Sequence, residues 1–458
     1  MMKTISDYLG KKATINVKEA IEKAKKIEDY NALISLTEER ALERAKLVDE
    51  GKITGRLAGV PFILKDNFLS FGGDTTAASR MLEGFRAPFQ ATAVEKLENE
   101  GAIVIGKSNL DAFAHGGSTE NSAFGVTKNA CDKTRVAGGS SGGSAVAVAL
   151  DVVPFALGSD TGGSIRQPAS FNGVVGVKPT YGTVSRYGVV AMASSTDTIG
   201  VFAHDVDDAT LIMDIIAGQD QSDMTTLPDF FTPETTLQKP LKIGVIKEFM
   251  DDSVDSEVRQ KTEQYIEKLR QAGHQIEEVS APLVKYAVAI YYIVVSAELS
   301  SNMARYDGIR YGKRSKNAKN LTEIYEKTRG ENLERENKRR IIMGSFVLSS
   351  GFFDAYYLKA QKARTLLINQ LNTLFEDHDI LLGPVSPTPA FKIGERVDDP
   401  IQMYLSDIMT VPASLAGMPA ISVPAGETSE GLPVGVQLIG PRQADAKLLA
   451  IAKSMEDK

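Results

Sequence analysis

The stretch VAGGSSGGSAVAVALDVVPFALGSDTGGSIRQP, residues 136–168, holds seven glycines and five serines between positions 138 and 164. Glycine lets backbone N–H groups approach a ligand closely, because it has no Cβ. A serine hydroxyl is a weak nucleophile until a base takes its proton. The stretch therefore predicts a catalytic site whose base must come from another part of the chain.

Lys65 is the candidate base. The chain has four histidines, and none lies in or beside the Gly/Ser stretch, so a Ser-His-Asp triad has no local support. Lys65 instead follows GVPFIL, residues 59–64, whose β-branched and aromatic residues are typical of a buried strand. Burial in an apolar pocket lowers the pKa of a lysine and favours its neutral, basic form.

Lys65, Ser140 and Ser164 together resemble the Ser-cisSer-Lys triad of the amidase signature family. The resemblance covers nearly the whole chain. Its motifs are GVPFILKDN at 59–67, STENSAFG at 118–125, the Gly/Ser stretch, and GVKPTYG at 176–182. It implies that Ser164 is the nucleophile, that Ser140 relays protons after a cis peptide bond to Gly139, and that Lys65 is the base. From the residues alone, Ser164 could instead cap a helix and Ser140 could be a turn serine.

The resemblance implies an α/β fold, a single large domain spanning residues 1–458 with a central mixed β-sheet covered by helices on both faces. Residues 1–50 are predicted to form amphipathic helices, residues 51–218 the Gly/Ser-rich catalytic core, and residues 219–458 the half that recognises the substrate. Strand-like runs alternate with helical stretches, as such a sheet requires. The predicted strands are 60–64, 102–106, 152–157, 174–177, 243–246, 380–382, 420–423 and 434–439.

The Gly-Gly turn before Ser164 predicts an oxyanion site. Its N–H groups, from Thr161, Gly162, Gly163 and Ser164, could stabilise a developing negative charge. A phosphate cradle is the other use of such a loop, but the Gly-Lys-Ser/Thr of a Walker loop is absent. The histidines and the single cysteine lack metal-ligand spacing, so we expect no metal and no cofactor in this chain.

Three later segments resemble one branch of the family, the glutaminase subunits of tRNA-dependent amidotransferases; they are SRYGVV at 185–190, YDGIRYG at 306–312 and SSGFFDAYY at 349–357. Glutamine is a zwitterion, so its α-carboxylate calls for an arginine and its α-ammonium for a carboxylate. The resemblance points to Tyr291, Arg340 and Asp407 as substrate-binding residues. Tyr292 and Arg339 are the neighbouring alternatives, and a core aromatic or a surface cation is the plainer interpretation of these positions.

The same branch implies partners, namely subunits B and C of the amidotransferase. The ammonia released from glutamine would pass to a partner that amidates Glu-tRNA(Gln), Asp-tRNA(Asn) or both, with ATP and Mg²⁺ bound there. A net charge of −7 predicts that tRNA is held mainly by the partner. A free-standing amidase and a binding module that has lost catalysis are the alternatives.

One cysteine, Cys131, excludes internal disulfides, and the opening residues lack the apolar core of a signal peptide, so we expect a cytoplasmic protein. The longest uncharged apolar stretch, 286–297, is too short to span a bilayer. Three positions depart from the family pattern, and the first is Ala112, where glutamate is usual. His115 stands where methionine is usual and Ser414 where asparagine is usual.

Overall fold

The strands of the computed structural model, which describes residues 2–234 and 240–456, join in one sheet of eleven strands. They are β1 (Leu33–Leu36), β2 (Pro61–Lys65), β3 (Ile103–Ser108), β4 (Phe155–Asp160), β5 (Val175–Lys178), β6 (Thr198–Ala203), β7 (Lys242–Ile246), β8 (Gln275–Val279), β9 (Ile380–Pro384), β10 (Ala420–Glu427) and β11 (Pro433–Ile439). Their order across the sheet is β1-β3-β2-β4-β6-β5-β10-β11-β9-β7-β8. β2 runs parallel to β3 and β4, whereas β6 is antiparallel to both of its neighbours, which confirms the predicted mixed sheet.

Helices alternate with these strands along the chain. They are α1 (Ala13–Lys26), α2 (Glu38–Asp49), α3 (Thr92–Asn99), α4 (Gly142–Ala149), α5 (Arg166–Asn172), α6 (Val206–Ile216), α7 (Ser256–Gln271), α8 (Ala287–Met303), α9 (Leu321–Asn332), α10 (Arg335–Val347), α11 (Lys359–Leu374), α12 (Pro400–Leu405), α13 (Val411–Leu415) and α14 (Asp445–Ser454). A π-helical turn, Phe353–Leu358, leads into α11.

Both faces of the sheet are covered. Successive residues of a strand point to opposite faces, and β2 shows where each face packs. Phe62 and Leu64 lie in a core cluster with α3 and α6. Ile63 lies in another cluster, with α1, α2, α4 and α5. The predicted α/β architecture, with helices on both faces of the sheet, is therefore confirmed.

Three strands were not predicted from the sequence. β1 lies inside residues 1–50, so the prediction of helices alone there is wrong. β1 and β8 are the two edge strands; β1 (LISL) has only four residues, all partly exposed, and β8 (QIEEV) is mostly polar and exposed. In β6 the run is broken by Gly200, where a Cβ would lie 2.0 Å from the carbonyl oxygen of Val177 on the neighbouring strand. Close packing of the two backbones thus requires a glycine in β6, and this glycine interrupts the run of apolar residues from which a strand is predicted.

The sheet is continuous between the predicted catalytic core and the predicted recognition half, because β5 pairs with β10. Residues 235–239, near the start of the second half, lie outside the described residues.

One helical segment, Pro282–Met303, is long and apolar enough to cross a membrane by length and composition. It has 22 residues and extends beyond the apolar stretch 286–297 at both ends. Most of it is α8, which packs against α10 and α11. More than half of it is buried in the protein, as is usual for a core helix.

Candidate active site

Lys65 is the last residue of β2 and is fully buried. Because β2 and β4 are parallel neighbours, their carboxyl ends meet at the same edge of the sheet. Lys65 Nζ lies 2.8 Å from Ser140 Oγ and 2.9 Å from the hydroxyl of Ser159, which belongs to β4. Ser159 was not singled out by the sequence analysis, although it lies in the motif. The structure brings Lys65 and Ser140 into direct contact.

Burial lowers the pKa of Lys65 to about 7. The carboxylates of Asp111, Asp160 and Asp197 act in the opposite direction, because negative charges favour the ammonium form. A substantial fraction of Lys65 is therefore uncharged at neutral pH. An uncharged amine at hydrogen-bond distance from a hydroxyl can take its proton.

Ser140 is fully buried, and the peptide bond that joins it to Gly139 is cis, at the predicted position. The carbonyl of Ser140 accepts a hydrogen bond of 3.2 Å from the backbone N–H of Asp111. A Cβ on Gly139 would lie 2.2 Å from Oδ2 of Asp111, so the loop admits only glycine there. The glycines beside Ser140 allow this close contact between backbone and carboxylate.

Ser164 lies in the turn between β4 and α5, next to the Ser140 loop. Its carbonyl accepts a hydrogen bond of 3.2 Å from the N–H of Ser141. Its hydroxyl has no hydrogen-bond partner among the described residues and does not cap α5; the N–H of Ile165 is bound by Asp160 Oδ2 at 3.2 Å. The structure therefore contradicts the alternative in which Ser164 caps a helix.

The turn at 161–164 exposes backbone donors. Within residues 2–234 and 240–456, none of its four N–H groups has an acceptor. A Cβ on Gly162 would lie 2.7 Å from Cζ of Tyr291, and one on Gly163 would lie 2.2 Å from Oγ1 of Thr410. Both glycines are thus required by close packing, and the turn can offer its N–H groups to an oxygen that gains negative charge.

A buried ion pair supports this turn. Arg166 Nη2 lies 3.0 Å from Asp160 Oδ1, and neither side chain is exposed. Burial alone would raise the pKa of Asp160, but Arg166, Lys178 and the N–H of Ile165 together outweigh that effect, and the pKa is lowered. Ser414 accepts a hydrogen bond of 2.8 Å from Arg166 Nη2 and lies 3.3 Å from Asp160. The unusual serine at position 414 is therefore part of the support beneath the turn, and the sequence analysis missed the ion pair.

Arg340 lies on α10, 3% exposed, among aromatic rings. Its Nε donates to Glu336 Oε1 at 2.8 Å, and its Nη2 lies 3.4 Å from the hydroxyl of Tyr292. Tyr404 donates to the same oxygen of Glu336 at 2.9 Å, and the rings of Tyr292 and Tyr404 stack at 3.7 Å. These residues come from α8, α10 and α12 and form one side-chain cluster.

A cavity of about 210 Å³ lies between this cluster and the loop at 116–121. Its walls include Arg340 and Tyr404 on one side and Asp111 with residues 116–118 on the other. Arg339 also lines it, with 29% of its side chain exposed and a hydrogen bond to Glu336. Arg340 is thus the buried member of the pair and Arg339 the more exposed one.

The two neighbouring tyrosines of α8 face different partners. Tyr291 packs on Gly162 in the turn before Ser164, whereas Tyr292 contacts Arg340. Either can contact a molecule held between the turn and Arg340, so the structure keeps both positions as candidates.

Asp407 is a buried carboxylate whose Oδ1 has no hydrogen-bond partner among the described residues. Burial raises its pKa to about 8, and the charge of Arg340 partly opposes this rise. A Cβ added to Gly117, which lines the cavity, would lie 3.5 Å from Asp407 Oδ2. A cationic group bound beside Gly117 would satisfy this carboxylate.

A second cavity, also of about 210 Å³, is lined by Ser159, whose hydroxyl contacts Lys65. Asn67, Ser159 and Asp197 line its inner end, and Arg186 and Asp223 line it further out. Asn67 donates to Ser159 Oγ at 3.1 Å, while its Oδ1 is buried without a partner among the described residues. Ser159 thus both contacts Lys65 and lines this second cavity.

His115 is fully buried, and its Nδ1 is hydrogen-bonded to the amide of Asn337 on α10. Burial holds its pKa well below the usual value, and the charge of Arg340 acts in the same direction. His115 is therefore uncharged at neutral pH and ties the loop at 111–116 to α10. Within the described part of the chain, no group of three or more His, Cys, Asp or Glu residues could hold a metal ion.

The model of the amidase family matches residues 16–449, nearly the whole chain. The chain belongs to the amidase family. It is therefore an enzyme of that family, and the predicted resemblance to it is confirmed. The site described above lies within the matched residues.

Several relatives of the chain have names that are more specific than the name of the family. The A subunit of the glutamyl-tRNA(Gln) amidotransferase from Caldanaerobacter subterraneus subsp. tengcongensis is 52% identical over 447 residues, 96% of this chain and 91% of the relative. The crystal structure of the same kind of subunit from Thermotoga maritima superposes with a TM-score of 0.83 at 40% identity, covering 99% of this chain and 94% of that one. A solved structure named only amidase has a TM-score of 0.82 at 32% identity, with coverages of 97% and 95%. The fold alone is thus shared by amidotransferase subunits and by other amidases.

Proposed function

We propose that this chain is the glutaminase subunit of a tRNA-dependent amidotransferase and that Lys65, Ser140 and Ser164 hydrolyse glutamine. The observation that carries the proposal is the contact of 2.8 Å between the buried Lys65 amine and the Ser140 hydroxyl, beside the turn that ends at Ser164. The names of relatives about 52% identical, each the A subunit of a glutamyl-tRNA(Gln) amidotransferase, support membership of such an enzyme.

The first half of the reaction forms a glutamyl ester. Neutral Lys65 takes the proton of Ser140, and Ser140 takes the proton of Ser164. The Ser164 oxygen then attacks the side-chain carbonyl carbon of glutamine. The N–H groups of the turn at 161–164 stabilise the oxyanion. When the C–N bond breaks, the proton held by Lys65 returns through Ser140 to the leaving nitrogen, and ammonia departs.

The second half consumes the ester. A water molecule attacks the carbonyl carbon of the glutamyl ester while Lys65, through Ser140, accepts its proton. The C–O bond to Ser164 breaks, the Ser164 oxygen regains a proton, and glutamate leaves. The lowered pKa of Lys65, about 7, suits an amine that must gain and lose a proton in each half.

Selection of glutamine is assigned to the recognition half, residues 219–458. Arg340 binds the α-carboxylate and Asp407 the α-ammonium, with Tyr291 packed between the oxyanion turn and the substrate. The unpartnered oxygen of Asp407 and the unexposed guanidinium of Arg340 support these roles, because each would gain a charged partner. Residues 51–218 supply the triad.

The ammonia is passed to a partner. Subunits B and C are the proposed partners, and one of them amidates Glu-tRNA(Gln), Asp-tRNA(Asn) or both with ATP and Mg²⁺ bound there. A net charge of −7 supports tRNA binding mainly by the partner. We place the complex in the cytoplasm, because a chain with a single cysteine fits a reducing compartment.

Trapping of the ester tests the proposal. The chain, assembled with B- and C-type partners from its own host, is incubated with glutamine and hydroxylamine, which intercepts a glutamyl ester as the hydroxamate. We expect hydroxamate from the wild-type enzyme and from the control Ser6→Ala, an exposed serine. We expect none from Ser164→Ala.

Hydroxamate formation by Ser164→Ala would remove Ser164 as the nucleophile. The free-standing amidase is the second candidate, because a protein named only amidase shares the fold at 32% identity. Failure of the wild-type chain to form a complex with the partners would favour that candidate and leave the substrate open.

A further inference from the structure

Glu336 is the carboxylate that holds Arg340. It lies one helical turn before Arg340 on α10, and within the described residues no other carboxylate comes within 4.0 Å of that guanidinium. Its side chain is 13% exposed, so both charges are largely removed from water. A buried arginine without such a partner would be strongly destabilised.

The contacts of Glu336 fix an orientation as well as a charge. Its Oε1 accepts hydrogen bonds from Arg340 Nε at 2.8 Å and from the Tyr404 hydroxyl at 2.9 Å. Tyr404 stacks on Tyr292, whose hydroxyl lies 3.4 Å from Arg340 Nη2. The arginine is thus bound along its Nε edge and held beside two aromatic rings.

This arrangement leaves the other edge of the guanidinium available. Arg340 Nη1 has no acceptor among the described residues, and Arg340 lines the cavity that reaches residues 116–118. Because a guanidinium is a rigid planar fork, fixing its Nε edge also fixes the direction of its Nη donors. A carboxylate in the cavity would meet donors that are already oriented.

Burial alone would raise the pKa of Glu336, but Arg340, the Tyr404 hydroxyl and Arg339 together outweigh that effect, and the pKa is lowered. Glu336 is therefore ionised at neutral pH. Arg339 bonds to the same side chain, so Glu336 also connects the buried arginine to the more exposed one.

We propose that Glu336 is a positioning residue that orients Arg340 for the α-carboxylate of the substrate. This inference rests on the proposed glutaminase function. Glu336 does not touch the reacting atoms; it acts through Arg340 and Tyr404.

Steady-state kinetics of Glu336→Ala and Glu336→Gln with glutamine and with a small neutral amide test this role. Glu336→Ala raises the KM for glutamine tenfold or more, while kcat and the kinetics of the small amide stay within twofold. Glu336→Gln keeps an acceptor for Arg340 and Tyr404, so its KM rises only about threefold. Glu323→Gln is the matched control, since Glu323 pairs with Lys327 on α9 and keeps wild-type kinetics.

A KM for glutamine within twofold of wild type in Glu336→Ala would overturn the inference, as would equal losses on both amides. If Glu336→Ala does not fold, Glu336→Gln decides: an unchanged KM overturns the inference and a threefold rise supports it. Arg340→Ala is measured in parallel. An unchanged KM in Arg340→Ala would remove the proposed glutamine site itself, whereas a raised KM there with an unchanged one in Glu336→Ala removes only the role of Glu336.

Discussion

The catalytic edge of the sheet and the helices that face it are built differently. At the edge, Lys65, serine hydroxyls and backbone groups come from the ends of β2 and β4 and from two glycine-rich turns. Facing them, α8, α10 and α12 contribute long side chains that meet only in the folded protein: Tyr292, Arg340 and Tyr404. The catalytic groups are thus positioned by the local backbone of the strand ends and turns. The groups proposed to contact the rest of the substrate are positioned by the packing of helices that are distant in the sequence.

Buried charges reinforce the rigidity of the edge. Asp160 pairs with Arg166 beneath the turn before Ser164, and Lys107 Nζ lies 3.1 Å from Asp66 beside β2. None of these four side chains is more than 1% exposed. Breaking such a pair leaves an uncompensated charge in the interior, so the edge resists rearrangement. The facing cluster instead joins a cavity and has donors and acceptors left to bind a ligand.

The largest effect is expected at the edge. Lys65→Ala, Ser140→Ala and Ser164→Ala each lower kcat for glutamine and for a small neutral amide by about 10⁴-fold or more, because the three residues transfer protons as one unit. A double variant is little worse than a single one. Near-normal turnover by Ser140→Ala would show that Lys65 reaches Ser164 without the relay.

Substitutions on the side that faces the catalytic edge are expected to raise the KM for glutamine but not to impair hydrolysis of the small neutral amide. Arg340→Ala and Asp407→Ala remove charged partners worth about 2 to 4 kcal/mol, which corresponds to roughly 30- to 1000-fold in the KM for glutamine. The small neutral amide, which has no α-carboxylate or α-ammonium, is hydrolysed nearly as before. Equal losses on both amides would contradict a separate recognition region.

Arg339→Ala distinguishes the two neighbouring arginines of α10. We expect its KM for glutamine to rise less than threefold, since Arg339 is the more exposed of the two and Arg340 lies in the aromatic cluster. A larger loss in Arg339→Ala than in Arg340→Ala would move the carboxylate-binding role to Arg339.

A smaller effect is expected from pH, and it differs between the two regions. Lys65 acts as a base only when neutral, so kcat/KM for the small amide rises with pH through about 7, the pKa of Lys65. Asp407 binds an ammonium only when ionised, and its pKa is about 8. The KM for glutamine therefore falls about fivefold between about pH 7 and 8. Asp407→Asn loses this fall but keeps the dependence on Lys65; a KM independent of pH in the wild type would contradict the role of Asp407.

The catalytic edge could be predicted from the sequence because its parts are local. Glycines mark positions where backbone meets a neighbour, as at Gly139 against Asp111, and one buried strand ends in a lysine. The cis bond before Ser140 and the contact of Lys65 with Ser140 lie where the motifs placed them. The roles of the triad residues remain predictions.

The facing cluster was less predictable, since it depends on the rotation of helices. Adjacent residues on a helix point about 100° apart, so a shift of one position changes every contact. Tyr291 meets Gly162 whereas Tyr292 meets Arg340, and nothing in the local sequence tells them apart. Glu336 was missed because the mixed charges around it resemble a solvated helix face. β1 was missed because its four residues lie within a segment predicted to be helical, and β8 because most of its residues are polar.

Ammonium rescue tests the central claim most directly: the edge only releases ammonia, which a partner uses. The measurement is amidation of misacylated tRNA by the complex reconstituted with Ser164→Ala, with glutamine or ammonium chloride as nitrogen donor and ATP present. We predict that glutamine no longer supports amidation, while ammonium chloride supports it at the rate of the wild-type complex. Failure of ammonium to rescue a complex shown to be assembled and bound to tRNA would contradict the account.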